Sequence, residues 1–236
     1  MLSFKLSITS QLSHLSPSFV ISDSPLAGST LYSLPPVTPS EVFKILNTSP
    51  LKSSSLDFLP PPFLNHVLPS FLIVSPTLPT CLPIKVIFPT LFKAASVTPL
   101  LKKPGLDKLL PSNYRPISNL NTISKVLERL FLNRVQVSIV SSPNFNQFQN
   151  AYRPRHYTET CLLATLDNIF TLLVSLDHSA AFDSIDHAIH LSRRKISFGF
   201  DGLVYDWIES YLSGRSQTVT IDNNSSASTH VASGVR

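Results

Sequence analysis

The sequence predicts an α+β fold, because amphipathic helical segments alternate with a few short apolar strands. The strongest helical pattern is capped by Asn121 or Thr122, and apolar residues at 123–135 fall on one face of it. Charged residues, Glu128 and Arg134 among them, are predicted to lie largely off that face. Strands are predicted at 95–101, 172–176 and 216–221, and the last should form a hairpin with a return strand at 229–233.

An earlier helix is predicted from a capping motif that begins at Thr38. Thr38 is the expected N-cap and Pro39 occupies the first helical position. Glu41, three residues after Thr38, is the expected capping-box partner. The apolar stripe of this helix consists of Val42, Ile45 and Leu46. Further helices are predicted at 159–170, 188–195 and 203–212.

The composition excludes several classes of protein. The 236 residues are 43% hydrophobic, which is ordinary for a globular chain and unlike a disordered one. No apolar run reaches the ~18 residues of a membrane helix, and no signal-peptide pattern is present. We therefore expect an intracellular protein, in the nucleus or cytoplasm, that is neither secreted nor membrane-bound. Nothing in the sequence indicates an obligate protein partner.

Positive charge is concentrated in one part of the chain. The net charge is +5, and nine basic residues at 102–155 are opposed by Asp107 and Glu128. A solvated helix face with loops would explain such clustering. Tyr114 and Tyr152, however, lie beside arginines in loop-like segments, which favours contact with the phosphates and bases of a nucleic acid.

The run at 173–183 carries the clearest chemical signal. A predicted buried strand ends there at Asp177, and a rigidly held carboxylate is a good Mg²⁺ ligand. From spacing alone, a strand-end aspartate that caps the turn that follows it is the favoured interpretation. Small residues at 179–181 leave room for a ligand against the backbone, and Phe182 stands over that space.

Other kinds of catalytic site are not predicted. His187 and His190 share a face of the helix at 188–195, but no third ligand lies at metal-site spacing. The chain has no glycine-rich phosphate loop and no nucleophile elbow of the hydrolase type.

Several blocks follow one another in a recognisable order: 96–104, 113–120, 124–129, 149–155, 176–187, 198–200, 207–215 with Gln217, and 231–235. Together they resemble the reverse transcriptase of non-LTR (LINE-type) retrotransposons of the jockey or CR1-like group. The block at 176–187 resembles motif A of the palm, and 231–235 resembles the start of motif B. The resemblance favours the metal-ligand interpretation of Asp177 over the turn cap.

The resemblance implies RNA-directed DNA synthesis, with an RNA template, a DNA primer, dNTP substrates and Mg²⁺ ions in a two-metal mechanism. It makes Asp177 the metal ligand of motif A and Phe182 the residue that screens out a ribose 2′-hydroxyl. The residues implied to hold the triphosphate are Arg115 with Lys102 or Lys103, and those implied to contact nucleic acid are Arg153 and Arg155.

The resemblance also implies a domain organisation: right-hand polymerase fingers plus a partial palm, preceded by a helical extension. We expect a poorly ordered Ser-rich tail at 1–34, the helical extension at 35–95, the fingers at 96–160 and the partial palm at 161–236. We expect the domain to be incomplete and truncated in motif B. The strand at 172–176 and the helix at 203–212 would then lack packing partners.

Two departures from the family pattern put activity in doubt. The carboxylate pair of motif C is absent, because no two aspartates adjoin in this chain, and one carboxylate cannot neutralise two metal ions. The predicted helix at 159–170 also joins the motif A strand without turn residues, which would unravel part of either element or displace Asp177. We therefore expect these residues alone to be inactive. The alternatives are a non-catalytic basic RNA- or DNA-binding fragment and a non-functional decayed product.

Overall fold

The computed structural model describes residues 30–48, 54–58, 60, 63, 87–146, 148–167, 181–222 and 224–234. The helices in these ranges are α1 (Pro39–Thr48), α2 (Thr122–Val140), α3 (Thr158–Asp167), α4 (His187–Phe198) and α5 (Gly202–Leu212). The strands are β1 (Ala94–Leu101), β2 (Tyr114–Leu120), β3 (Ser216–Ile221), β4 (Asn224–Ser225) and β5 (Thr229–His230). The predicted combination of helices with a sheet is confirmed.

Strand β1 lies inside a mixed sheet. It pairs antiparallel with β2, with Leu101 opposite Tyr114. On its other side it pairs parallel with β3, with Ala94 opposite Ser216. Strand β3 in turn pairs antiparallel with both β4 and β5, so the return strand of the predicted hairpin is split in two. The sheet thus joins strands from the predicted fingers and the predicted palm.

Helices α2 and α5 pack together through an aromatic core. The rings of Phe131 and Trp207 stack with centroids 3.9 Å apart, and the fully buried Phe88 meets Trp207 edge-on at 5.5 Å. The buried residues that α5 contributes are Val204, Trp207, Ile208 and Leu212. The expectation that the helix at 203–212 lacks packing partners is therefore wrong, because α2 covers its apolar face.

Helix α1 covers another side of α2. The buried residues of this contact are Val37, Val42, Ile45, Leu46, Val126 and Leu130. The predicted capping motif is confirmed, since the Thr38 amide donates to Glu41 Oε2 at 2.8 Å and the Glu41 amide donates to Thr38 Oγ1 at 3.3 Å. Arg134 of α2 donates to the same Glu41 oxygen at 2.7 Å and ties the two helices together.

The start of α2 is held by a distant carboxylate as well as by its own cap. Asn121 is the N-cap, as predicted, and its Oδ1 accepts from the Ile123 amide at 2.8 Å. Asp57 accepts from the amide of Thr122 at 2.6 Å and from its hydroxyl at 2.8 Å. These bonds satisfy backbone donors that the first turn of a helix leaves without intrahelical partners.

Two charged residues of α2 point into contacts rather than into solvent, which corrects the sequence prediction. Glu128 accepts a hydrogen bond from the Tyr211 hydroxyl at 2.8 Å. The Arg134 side chain is 6% exposed, because it binds Glu41 and donates to the carbonyl of Pro35 at 3.0 Å. The prediction of a single buried face for α2 is incomplete, because other helices pack on two of its sides. Among the basic residues at 102–155, Arg134 therefore has a structural role.

Residues 30–34 also belong to the fold, although the Ser-rich composition predicts a poorly ordered tail up to 34. Leu31 pairs with Phe200, and its amide donates to the Gly199 carbonyl at 2.8 Å. Leu34 packs against the aromatic core. The predicted strand at 172–176, the end of the predicted helix at 159–170 and most of 49–86 lie outside the described residues. No helix in the described ranges is long and apolar enough to cross a membrane.

Burial raises the pKa of the Glu128 carboxyl above its ordinary value. The hydroxyls of Tyr211 and Ser124 donate to its Oε1, and with the positive charge of Arg215 they oppose this effect without cancelling it. The folded protein therefore favours protonated Glu128 more than the unfolded chain does. Its contribution to stability is complete below pH 4.5 and is lost as the pH rises through the raised pKa.

We predict that Glu128→Gln raises the melting temperature at pH 7. Glutamine keeps an oxygen that can accept from Tyr211 but carries no charge to desolvate, so a gain of up to about 1 kcal/mol is expected. The gain should disappear as the pH approaches 4.5, and Glu209→Gln on the exposed side of α5 should change little. Thermal unfolding followed by circular dichroism at both pH values measures this. A variant less stable than wild type at pH 7 would contradict it.

Candidate nucleotide and nucleic-acid interface

The β1–β2 hairpin presents three of the predicted cations at one end. Lys102 and Lys103 follow β1 directly, and Arg115 lies opposite Leu100 in the β1–β2 register. All three side chains are exposed. The Lys102 amide donates to the Asn113 carbonyl at 2.9 Å, which closes the hairpin behind the basic turn. The positive charges are therefore near one another on a rigid element, an arrangement suited to a polyanionic ligand.

A sharply turned loop carries the other two predicted cations. Tyr152 and Arg155 both have positive φ, at 60° and 63°, a backbone conformation that residues other than glycine seldom adopt. Arg155 is exposed, whereas Arg153 is half-buried with its guanidinium 5.6 Å from the centre of the Phe145 ring. The backbone conformation thus holds Tyr152 and Arg155 outward on neighbouring parts of the same loop.

Phe182 lies beside this loop. It belongs to a short 3₁₀ turn at Ala181–Ser184, and its ring is 58% exposed. The Tyr152 ring meets it edge-on, with centroids 6.5 Å apart and planes at 85°. The fold therefore brings together the loop predicted to contact nucleic acid and the residue predicted to screen the sugar.

Residues 233 and 234 form hydrogen bonds with the segment around the same turn. The Gly234 amide donates to the Ile185 carbonyl at 2.9 Å, and Ser233 Oγ donates to the Asp183 carbonyl at 3.3 Å. His187 Nε2 lies 2.8 Å from the Gly234 carbonyl oxygen. The sequence block that resembles motif B thus lies directly on the one that resembles motif A. The contact between these two blocks has no local signal in the sequence, because it joins residues about fifty positions apart.

Asp177, the predicted metal ligand, lies outside the described residues, as does the junction at 170–172. Within the part of the chain that the structure describes, no three His, Cys, Asp or Glu side chains gather into a group that could hold a metal ion. His187 is engaged with Gly234, and Asp186 caps α4 by accepting from the Ile189 amide at 2.9 Å. Both residues therefore have structural partners next to Phe182.

Residues 101–236 match the family described as reverse transcriptase (RNA-dependent DNA polymerase). The chain belongs to the reverse transcriptase family. The resemblance that the ordered blocks indicated is confirmed. The matched region begins at the end of β1 and includes the hairpin cations, the Tyr152 loop, Phe182 and Gly234.

Curated relatives of this chain are polymerases of Drosophila mobile elements. The chain is 34% identical over 157 residues to "Probable RNA-directed DNA polymerase from transposon X-element" of Drosophila melanogaster. It is 31% identical over 156 residues to "RNA-directed DNA polymerase from mobile element jockey" of Drosophila funebris. Each match covers 63% of this chain and 17% of the relative, so the chain corresponds to about a sixth of the length of these proteins.

Burial, together with the positive charges of Arg194 and then His187, lowers the pKa of His190 to about 4. The reverse transcriptase chain therefore keeps His190 neutral in mildly acidic solution. Between the ordinary value of 6.5 and about 4, the unfolded chain gains a proton that the folded chain does not. The stability that neutral His190 contributes is complete above pH 6.5 and is lost as the pH falls towards 4.

We predict that His190→Asn reduces the acid sensitivity of the fold. The loss of unfolding free energy between pH 7 and pH 5 should be smaller than in wild type by on the order of 1–2 kcal/mol. Urea denaturation at the two pH values measures the difference, and His230→Asn, at an exposed position on β5, is the matched control. Equal acid sensitivity of wild type and His190→Asn would contradict the prediction.

Proposed function

We propose that this chain supplies the fingers and the first part of the palm of an RNA-directed DNA polymerase. The match of residues 101–236 to the reverse transcriptase family carries the proposal. The meeting of Tyr152, Phe182 and Gly234 supports it, because three separate blocks of the family pattern converge on one place. In this proposal 96–160 forms the fingers, 161–236 the partial palm and 35–95 a helical extension.

The β1–β2 hairpin is proposed to hold the triphosphate of the incoming dNTP. Lys102, Lys103 and Arg115 are exposed at one end of the hairpin. A triphosphate carries several negative charges, and a guanidinium fork with nearby ammonium groups binds phosphate oxygens through charge-assisted hydrogen bonds. The β1–β2 pairing continues up to Leu101 and Tyr114, next to these cations, so little backbone conformational entropy would be lost on binding.

Phe182 is proposed to select the sugar, and the Tyr152 loop to hold nucleic acid. An exposed ring next to the nucleotide leaves no room for a 2′-hydroxyl, which favours deoxynucleotides. Arg155 is exposed beside Tyr152, and Arg153 lies next in the chain, so the loop offers cations for phosphates and an aromatic surface for a base. The proposed substrates are therefore an RNA template, a DNA primer and dNTPs. The expected location is inside the cell.

Reverse transcriptases generally use divalent metal ions, and two bound ions would stabilise the attacking and leaving oxygens of the transfer. Asp177 is the one residue that matches a metal ligand of the family, and it lies outside the described residues. The 236 residues contain no adjoining aspartates of the motif C kind. This set of donors does not fit a pair of Mg²⁺ ions, so we assign no step of the reaction to them.

We predict that the purified chain does not extend a DNA primer on an RNA template. One matched carboxylate is too few to neutralise two metal ions. The measurement is incorporation of labelled dNTPs in the presence of Mg²⁺ by wild type, by Asp177→Ala and by Asp167→Ala, whose carboxylate lies at the end of α3. Incorporation by wild type and Asp167→Ala that is lost in Asp177→Ala would overturn the inactivity.

A second candidate function is binding of nucleic acid without catalysis. The exposed cations of the β1–β2 hairpin and the Tyr152 loop favour it, since such groups bind phosphates with little dependence on base sequence. It differs from the first candidate in needing neither Asp177 nor Phe182.

We predict that single-stranded RNA binding weakens with salt and that the Lys102→Ala/Lys103→Ala variant weakens this dependence. Loss of two phosphate contacts should reduce the slope of log affinity against log salt by about 1.4. Fluorescence anisotropy with a labelled oligonucleotide between 50 and 200 mM salt, roughly the range over which such effects are large, measures it. Lys44→Ala, exposed on α1, should leave the slope unchanged. Salt-independent binding by wild type would refute this function.

A further inference from the structure

The contacts of Ser233 and Gly234 with the turn at 182–187 form what we call the Gly234 clasp. Ser233 bridges antiparallel with Asp186, and the Gly234 amide donates to the Ile185 carbonyl. Gly234 is buried. The clasp therefore secures the backbone of the turn that carries Phe182.

Position 234 strongly favours glycine. Its φ is +91°, a conformation that residues with a Cβ rarely adopt. A Cβ placed there would lie 3.1 Å from the Phe182 carbonyl oxygen and 3.1 Å from the Asp183 Cα. Both atoms belong to the backbone and cannot rotate away, so a side chain at this position requires the Phe182 turn and residue 234 to move apart by a few tenths of an ångström.

His187 closes the clasp with a hydrogen bond whose direction is defined. The Gly234 carbonyl oxygen can only accept, so His187 Nε2 must carry the proton and donate across 2.8 Å. His187 begins α4, and its side chain therefore links the first turn of this helix to the segment that lies on Phe182. The Phe182 ring itself is more than half exposed, so its place depends on its backbone more than on side-chain packing.

We infer that Gly234 and His187 are positioning residues that set the place of Phe182 and thereby the preference for deoxyribonucleoside over ribonucleoside triphosphates. This inference rests on the proposed function, in which Phe182 meets the sugar. A side chain that excludes a single hydroxyl group must be placed within about half an ångström to distinguish the two kinds of nucleotide. The clasp supplies that precision through backbone contacts from a segment distant in sequence.

The test compares Gly234→Ala, His187→Ala and His187→Gln with wild type in the full chain. Glutamine can still donate to the Gly234 carbonyl, so it should restore what alanine removes. His230→Ala, exposed on β5, is the control. Hydrogen exchange of the turn at 182–187 reports on the clasp. Competition between dGTP and GTP for the chain bound to primer–template reports on selection, and thermal melts show that each variant is folded.

We expect exchange in the 182–187 turn to rise about tenfold in His187→Ala, as for the loss of one buried hydrogen bond, with rescue by His187→Gln. The dGTP:GTP affinity ratio should fall roughly three- to tenfold in Gly234→Ala and His187→Ala and stay at the wild-type value in His187→Gln and His230→Ala.

Folded variants with wild-type exchange would overturn the clasp. Faster exchange with an unchanged dGTP:GTP ratio would overturn its role in selection. Wild-type protein that binds neither nucleotide, or both equally, would overturn that role together with the proposed function, while the exchange data would still decide whether the clasp exists.

Discussion

The structure depends on α2 being shared between two packing partners. Its Phe131 side stacks on Trp207 of α5, and its Val126 and Leu130 meet the apolar stripe of α1. Truncation of a buried aromatic of this size typically costs about 3–5 kcal/mol, a large fraction of the stability of a domain. Because both contacts converge on one helix, the N-terminal segment, the end of α5 and everything that follows α5 are placed relative to α2.

The sheet links these helices to the candidate interface. Strand β1 pairs with β2, which bears Arg115, and with β3, from which the chain continues through β5 to Ser233 and Gly234. The parallel β1–β3 pair therefore connects the cationic hairpin to the segment that lies against Phe182. Pairing strands so far apart in the chain costs loop-closure entropy, which the packing of the helices between them helps to offset.

Local features were predictable from the sequence where their physics is local. The Thr38 cap, the Asn121 cap and the start of α2 rest on side chains that bond or pack within a few positions. The direction in which Glu128 and Arg134 point was not predictable, because it depends on Tyr211 and Glu41, which are distant in sequence. The same reason explains why Leu31 belongs to the fold despite its Ser-rich surroundings.

The sequence by itself determined the family, since the order of its blocks along the chain is a one-dimensional property, and it predicted roles for Asp177 and Phe182. Only the tertiary structure decided what surrounds Phe182. Tyr152 and Gly234 reach it from two separate segments, and His187 forms a hydrogen bond with Gly234. Their contacts arise from helix packing and sheet pairing, which bring together residues whose spacing in the sequence carries no signal.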